Sequence, residues 1–186
     1  MSKVFILGVD HFLQNIESVC TTPVGKESET NQKDALKARL EELISERRPE
    51  LIAEEAKLDR ECMGKQIADA HGCKYCNLTM PWEDRLKSGV ARDYDRTRET
   101  RRAAYTVFET FMFEQIQKNR GSSDSILVIC GSYHVDGLEK LFRTAGDDVQ
   151  TEDTYHATWY RGLPEESSGE VIGFYKEIHG RSDTRL

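Results

Sequence analysis

The chain has 186 residues, of which 38% are hydrophobic and 32% are charged, and its formal net charge is −7. This length suits one domain with its own core, and the acidic balance disfavours a broad nucleic-acid interface, which needs a concentrated positive face. No apolar run approaches the roughly 20 residues of a membrane span, and the first run is too short for a signal peptide. We therefore expect a cytoplasmic protein with reduced cysteines and without membrane or nucleic-acid partners.

The first half of the chain predicts strands that alternate with helices. Its clearest helix carries leucine and isoleucine at three- and four-residue steps and ends at a proline. The predicted elements are a strand at 3–7, a polar loop at 14–29, a helix from about Asn31 to Pro49, a strand at 50–56 with an acidic end, a helix at 59–72 closed by Gly72, and a strand at 73–81.

The second half continues this alternation. It predicts a long helix from Arg92 to Lys118, a strand at 126–130, a helix at 135–146, and late strands at 149–160 and 170–178. The order predicts the α/β class, with a mostly parallel central sheet flanked by helices and late strands that can run antiparallel. We expect a single domain over residues 1–180 and a flexible tail over residues 181–186.

Two Gly-x-x-His motifs follow strands. They are GVDH, which ends at His11, and GSYH, which ends at His134. With 13 glycines and 5 histidines, composition alone predicts about 0.35 such pairs. Glycine permits a sharp turn at a strand exit, and loops after parallel strands share the sheet edge where ligands bind. The matched pair favours a functional site over two ordinary strand-to-helix turns.

Acidic and basic side chains are predicted near the same edge. Glu54 and Glu55 end the second strand, where a carboxylate could bind a metal, act as a general base, orient a histidine, or simply face solvent. Extending the apolar stripe of the long helix backwards from Tyr105 places Arg98 and Arg101 on its inner face. A buried arginine needs an acidic partner or an anionic substrate group, although a charged surface helix end is the alternative.

Other motifs give weaker signals. Cys73 and Cys76 form a C-x-x-C without a second such pair, so we expect small core residues rather than a zinc site. His156 lies among aromatic residues that could line a pocket or pack a late strand. Phosphate-binding glycine loops and serine nucleophile motifs are absent from the sequence.

The order of these motifs resembles the TraB/Tiki family within the erythromycin-esterase and ChaN-like superfamily. The matching pieces are GVDH, LIAEE, TRETR and GSYH, and they span roughly residues 3–145. Members of that superfamily include metal-dependent proteases, a metal-independent esterase and a haem-binding lipoprotein. The resemblance implies one pocket built from the paired histidines, the strand-end carboxylate and an arginine.

Carried onto this chain, the resemblance implies that His11 and His134 are the paired histidines and that Glu54 is the strand-end carboxylate. As catalytic residues, these three could be ligands of a divalent metal ion, or one histidine could act without metal as a base on water. Arg98 is the implied pocket arginine, with Arg101 as the alternative. The further candidates for substrate binding are Asp10, Glu55, Tyr133 and His156.

The leading hypothesis is a small hydrolase that activates water with the help of a metal ion to cleave an ester, amide or phosphoester in a small-molecule or peptide-like substrate. One alternative is a binding or sensing domain that holds a metal, haem or anionic small molecule without turnover. Another is an interaction module that closes the loop at 14–29 over a partner. The sequence leaves the substrate, the metal and homo-oligomer formation open.

Overall fold

A central sheet of five parallel strands organises the protein. The structure is a computed structural model that describes residues 1–14, 23–56, 61–90, 98–154 and 157, with backbone but not side chains at 11, 12, 24, 25 and 98–101. The elements are β1 (Lys3–Val9), α1 (His11–Gln14), α2 (Pro23–Arg47), β2 (Leu51–Glu54), α3 (Met63–His71), β3 (Lys74–Asn77), α4 (Trp82–Lys87), α5 (Arg98–Arg120), β4 (Ser125–Gly131), a 3₁₀ turn (Ser132–His134), α6 (Val135–Thr144) and β5 (Asp148–Asp153).

The strand order is β3-β2-β4-β1-β5, and helices cover both faces of the sheet. Successive strand residues point to opposite faces, so Ile6 packs in the same apolar cluster as α5 and α6, whereas Leu7 packs with α2 and α3. Burial on both faces explains why β1 and β4 are nearly continuous apolar runs. The predicted α/β class, with a mostly parallel sheet flanked by helices, is confirmed.

Helix α2 begins earlier than the sequence pattern indicates. It starts at Pro23, so the predicted loop at 14–29 is wrong over its second half, and residues 15–22 lie outside the description. The inner face of the first turns carries Glu29 and Gln32, both buried, which extend the stripe of Leu36 towards the amino end. Glu29 is only 1% exposed, and its carboxylate lies 2.6 Å from Lys33 Nζ. Polar residues therefore occupy positions at which the pattern requires apolar ones.

The remaining helices are close to their predicted places. α3 ends at Gly72, whose φ of 68° is the left-handed conformation that glycine adopts readily. α4 was not predicted, because its six residues include no buried side chain and hence no apolar pattern. Among the described residues, no helix is long and apolar enough to span a membrane.

The late strand β5 pairs with β1 in parallel register, so the described sheet contains no antiparallel strand. The other late strand predicted at 170–178, the tail at 181–186 and the end of the predicted domain at 180 all lie outside the described residues. The chain reaches β5 through α6, which crosses over β1 on the face of the sheet that α5 also covers.

Candidate functional site

The two Gly-x-x-His motifs begin side by side at the carboxyl edge of the sheet. β1 and β4 are neighbours, with Val9 paired to Gly131. The connection after β1 leads to α2 on one face of the sheet, and the connection after β4 leads to α6 on the other. Diverging connections of this kind leave a crevice at the carboxyl ends of the strands, which is where open α/β sheets bind ligands.

Gly8, the glycine of GVDH, lies inside β1 rather than in a turn after it. A Cβ at this position would lie 2.4 Å from Val135 Cγ2 and 3.0 Å from Ser132 Cα. The 3₁₀ turn that carries His134 therefore crosses directly over the backbone of Gly8. Close approach, not turn geometry, explains this glycine.

Gly131, the glycine of GSYH, has a φ of −58°, which other residue types also adopt. Its N–H donates to Glu55 Oε2 at 3.0 Å. Residue 131 thus holds a carboxylate of the neighbouring strand end, and the turn does not depend on the conformational freedom of glycine.

His134 lies between two carboxylates. Its side chain is 6% exposed, its Nδ1 is 3.3 Å from Glu109 Oε1, and its Nε2 is 3.7 Å from Glu55 Oε1. Glu55 directly follows β2, and Glu109 comes from α5. Three separate elements therefore converge on one imidazole.

Aromatic rings hold the imidazole of His134 in this position. The ring of Tyr105 meets it edge to face at a centroid distance of 5.2 Å, and Phe108 lies 6.3 Å away. Tyr133 stacks on Tyr105 at 5.9 Å. Such contacts restrict rotation of the imidazole and leave its two nitrogens facing the two carboxylates.

The surroundings of His134 favour its charged form. Burial alone lowers its pKa, but the negative charge of Glu55 and the hydrogen bond and charge of Glu109 outweigh burial, so the pKa lies above the usual value of 6.5. Burial likewise raises the pKa of the neighbouring Cys130 thiol well above its usual value, which argues against Cys130 as a nucleophile.

Glu54 points to the other face of the sheet. It is fully buried and accepts hydrogen bonds from the backbone N–H of Gly64 at 3.1 Å and from the Tyr75 hydroxyl at 3.2 Å. Because neighbouring strand residues alternate between faces, Glu54 and Glu55 diverge. The structure therefore brings Glu55, and not Glu54, to His134. Glu54 instead accepts a hydrogen bond from the first turn of α3.

The burial of Glu54 predicts a pH dependence of stability. Burial raises its pKa above 4.5, against the opposing hydrogen bonds from Cys62, Gly64 and Tyr75. The folded state then holds this proton more tightly than the unfolded state, so the contribution of Glu54 to stability is fully present below pH 4.5 and is lost as the pH rises through the folded pKa. Glu54→Gln should remove this loss of stability. As the pH rises, the free energy of unfolding of the variant should therefore increase relative to wild type, by at most about 1.4 kcal/mol per pH unit.

Urea unfolding of both proteins between pH 4.5 and pH 7.5 measures this difference. The exposed Glu61→Gln is the matched control, and its curve should stay parallel to wild type. A parallel curve for Glu54→Gln as well would contradict the prediction.

Several predicted site residues have no described side chain. The backbone of His11 lies in α1, and the backbones of Arg98 and Arg101 lie in the first turn of α5, but their side chains lie outside the description. His156 lies outside it altogether. Their roles stay predictions. The carbonyl of Asp10 accepts the N–H of Leu13 at 2.9 Å, which starts the short helix after β1.

Glu109 was missed in the sequence, although a signal was present. It lies four residues after Tyr105 and three before Met112, two residues of the apolar stripe that the sequence predicts for the long helix. Its side chain is accordingly buried, with 12% exposed. A carboxylate within an apolar stripe requires a buried partner, and here that partner is His134.

The described residues offer a divalent metal ion two ligands at this edge, Glu55 and Nε2 of His134, with Glu109 on the opposite ring nitrogen. This fits the common arrangement in which a carboxylate orients a metal-binding histidine. Across the described parts of the chain, no group of three or more His, Cys, Asp and Glu side chains could hold a metal ion. The predicted third ligand, His11, has its side chain outside those parts.

The C-x-x-C motif is split between the two faces of the sheet. Cys76 is buried in the apolar cluster with α5, whereas Cys73 packs against the other cluster and its Sγ lies 3.1 Å from the carbonyl of Pro49. The thiols of Cys62, Cys73, Cys76 and Cys130 are free.

Comparison of the chain with protein-family models, with curated proteins and with solved structures finds no match. The resemblance to the TraB/Tiki family therefore rests on the sequence motifs alone.

Proposed function

We propose that this protein is a hydrolase that activates water at the carboxyl edge of β1, β2 and β4, on an ester, amide or phosphoester. The observation that carries the proposal is the buried His134 with one ring nitrogen on Glu109 and the other facing Glu55. A histidine and carboxylates placed in this way can divide the acid and base steps of a hydrolysis.

The position of His134 between two carboxylates, which raises its pKa, supports a division of the acid and base roles between His134 and Glu55. Glu55, as a carboxylate, accepts a proton from water while the water oxygen attacks the substrate carbon or phosphorus. The protonated Nε2 of His134 donates its proton to the leaving oxygen or nitrogen as that bond breaks. Transfer of the proton from Glu55 to His134 then restores the starting state, and Glu109 keeps the imidazole in place throughout.

The metal-assisted form of the proposal uses the same side chains. His134 and Glu55, with His11, would hold a divalent ion, and Glu109 would orient His134 through its Nδ1. When bound, such an ion supplies a water of lowered pKa and polarises the scissile group. Because binding requires an unprotonated Nε2, metal affinity should weaken as the pH falls.

Further parts of the proposal come from the predicted surroundings of the site. Arg98 or Arg101 would bind an anionic group of a small-molecule or peptide-like substrate, and Asp10, Tyr133 and His156 would complete the pocket. The free thiols of the described cysteines support the proposed cytoplasmic location. Kinship with the TraB/Tiki proteins is proposed on the four motifs.

The alternative function is binding or sensing without turnover. The small exposed fraction of the His134 side chain, 6%, favours it, because a deeply buried imidazole offers little surface to a reacting group. The same pocket would then hold a metal, haem or anionic small molecule.

The proposal predicts that both His134→Gln and Glu55→Gln lower turnover by at least about 100-fold, since each removes a proton-transfer group. The purified protein is screened on chromogenic esters, aminoacyl amides and phosphoesters, without metal and with manganese, cobalt, nickel or zinc. Glu114→Gln, an exposed residue of α5, is the matched control for purification and background activity.

Comparing Glu54→Gln with Glu55→Gln tests which carboxylate acts. Loss of turnover in Glu55→Gln alone supports the geometry described here, and loss in Glu54→Gln alone supports the assignment from motif order. No turnover on any substrate, together with tight metal or haem binding, would favour the alternative function.

A further inference from the structure

Glu109 reaches His134 through a gap that a glycine leaves open. A Cβ on Gly137 would lie 2.0 Å from Glu109 Oε2 and 2.2 Å from its Cδ. No side chain fits at residue 137 while the Glu109 carboxylate keeps this position. The carboxylate of Glu109 thus lies directly against the backbone of α6, in the first turn of that helix.

The first turn of α6 is a favourable place for a carboxylate. Backbone N–H groups at a helix start carry partial positive charge, which stabilises a nearby anion. The imidazole of His134, the residue immediately before α6, adds a second positive partner for Glu109.

We infer that Glu109 is the positioning residue of the site, that it fixes the orientation of the His134 imidazole through Nδ1, and that residue 137 is glycine because a Cβ there would displace the Glu109 carboxylate. The role of Glu109 in catalysis rests on the proposed function, but the contact between Glu109 and His134 does not depend on any reaction. With Nδ1 engaged by Glu109, only Nε2 is presented to Glu55 and to a ligand at the sheet edge.

The competing explanation is that Glu109 only fills space between α5 and α6. A space-filling carboxylate would affect stability when replaced but not the state of the imidazole. The measurement must therefore report on the ring nitrogens of His134 itself. Among the described side chains, the charged groups placed against His134 are Glu55, directly after β2, and Glu109, from α5.

The test is a pH titration of the histidine ring nitrogens by ¹⁵N NMR, with His134 assigned from the signals missing in His134→Gln. Glu109→Gln keeps the side-chain shape and removes the charge, so the His134 titration midpoint should move to lower pH than in wild type. Glu114→Gln, exposed and on the same helix, is the matched control and should leave the midpoint unchanged.

Gly137→Ala is the second variant. Its methyl group should expel the intact Glu109 carboxylate from Nδ1 and so lower the His134 midpoint in the same direction as Glu109→Gln. If Gly137→Ala does not fold, Glu109→Asp provides the measurement, because its carboxylate is one methylene shorter and should withdraw from Nδ1 and lower the midpoint. An unchanged midpoint in Glu109→Gln, or in the folded Gly137 variant, would overturn the inference.

This readout is separate from the proposed function, because the titration requires no substrate. A lowered midpoint without turnover on any substrate would retain Glu109 as a positioning residue and reject the hydrolase. Turnover with an unchanged midpoint would support the hydrolase and reject Glu109 as a positioning residue. Where turnover is found, Glu109→Gln should lower kcat more than it raises KM, since Glu109 acts through His134 and not on the substrate.

Discussion

His134→Ala should lower the free energy of unfolding by about 3 kcal/mol near neutral pH, because it removes a buried cation that faces both Glu55 and Glu109. The side chains of these two glutamates are only 16% and 12% exposed, so water cannot fully replace the imidazole. This cost is much larger than that of an ordinary surface substitution, for which about 0.5 kcal/mol is typical. Urea unfolding of wild type and variant measures it.

The effect of His134→Ala should also depend on pH. The pKa of His134 is raised in the folded state, so its charge contributes stability that is fully present below pH 6.5 and is lost as the pH rises through the folded pKa. The difference between wild type and variant should therefore shrink at alkaline pH. A difference that stays constant across this range would contradict the assignment of a charged His134.

A double-mutant cycle separates the ion pair from the loss of packing. Glu109→Ala and His134→Ala should each destabilise, but the double variant should cost less than the sum, because the second change removes a group that the first left unpaired. Additive losses would mean that the two side chains do not interact in solution.

Gly8→Ala should lower the free energy of unfolding by about 2 kcal/mol, which is the usual cost of overpacking a core. The new Cβ would lie 2.4 Å from Val135 Cγ2, 3.0 Å from Ser132 Cα and 3.2 Å from Asp153 Cβ. These atoms belong to the 3₁₀ turn, the start of α6 and the end of β5. Movement of one side chain would therefore not relieve all three contacts. Thermal and urea unfolding measure the loss.

Val135→Ala is the matching second change. Alone it should cost about 1–2 kcal/mol through two lost methyl groups. Combined with Gly8→Ala it should cost less than the sum, because it removes the nearest atom to the new Cβ. The remaining contact with the Ser132 backbone should keep the rescue incomplete. Full additivity would show that the 3₁₀ turn does not cross Gly8 in solution.

The fold was predictable from local patterns because strands that are buried on both faces of a parallel sheet appear in the sequence as short apolar runs. The runs at 3–7 and 126–130 became adjacent central strands, β1 and β4. The end of α3 at the Gly72 cap and the apolar stripe of α5 were likewise predictable from neighbouring residues in the sequence. Where an inner face is polar, as at Glu29 and Gln32 in α2, the same reasoning placed the helix start several residues too late.

The site was less predictable because it depends on which face each side chain meets. Glu54 and Glu55 are neighbours in sequence and both acidic, and no local pattern distinguishes them. Only the pairing of β2 with β4 and the packing of α3 direct Glu54 to Gly64 and Glu55 to His134.

By itself, then, the sequence determined the α/β class, the buried strands and the candidate histidine motifs, since these follow from periodicity and from residue types at strand ends. The tertiary structure alone decided the partners of His134. Glu109 lies 25 residues away along the chain, and its contact requires α5 and α6 to meet at Gly137. Such an approach arises from packing between distant elements, which no local spacing in the sequence encodes.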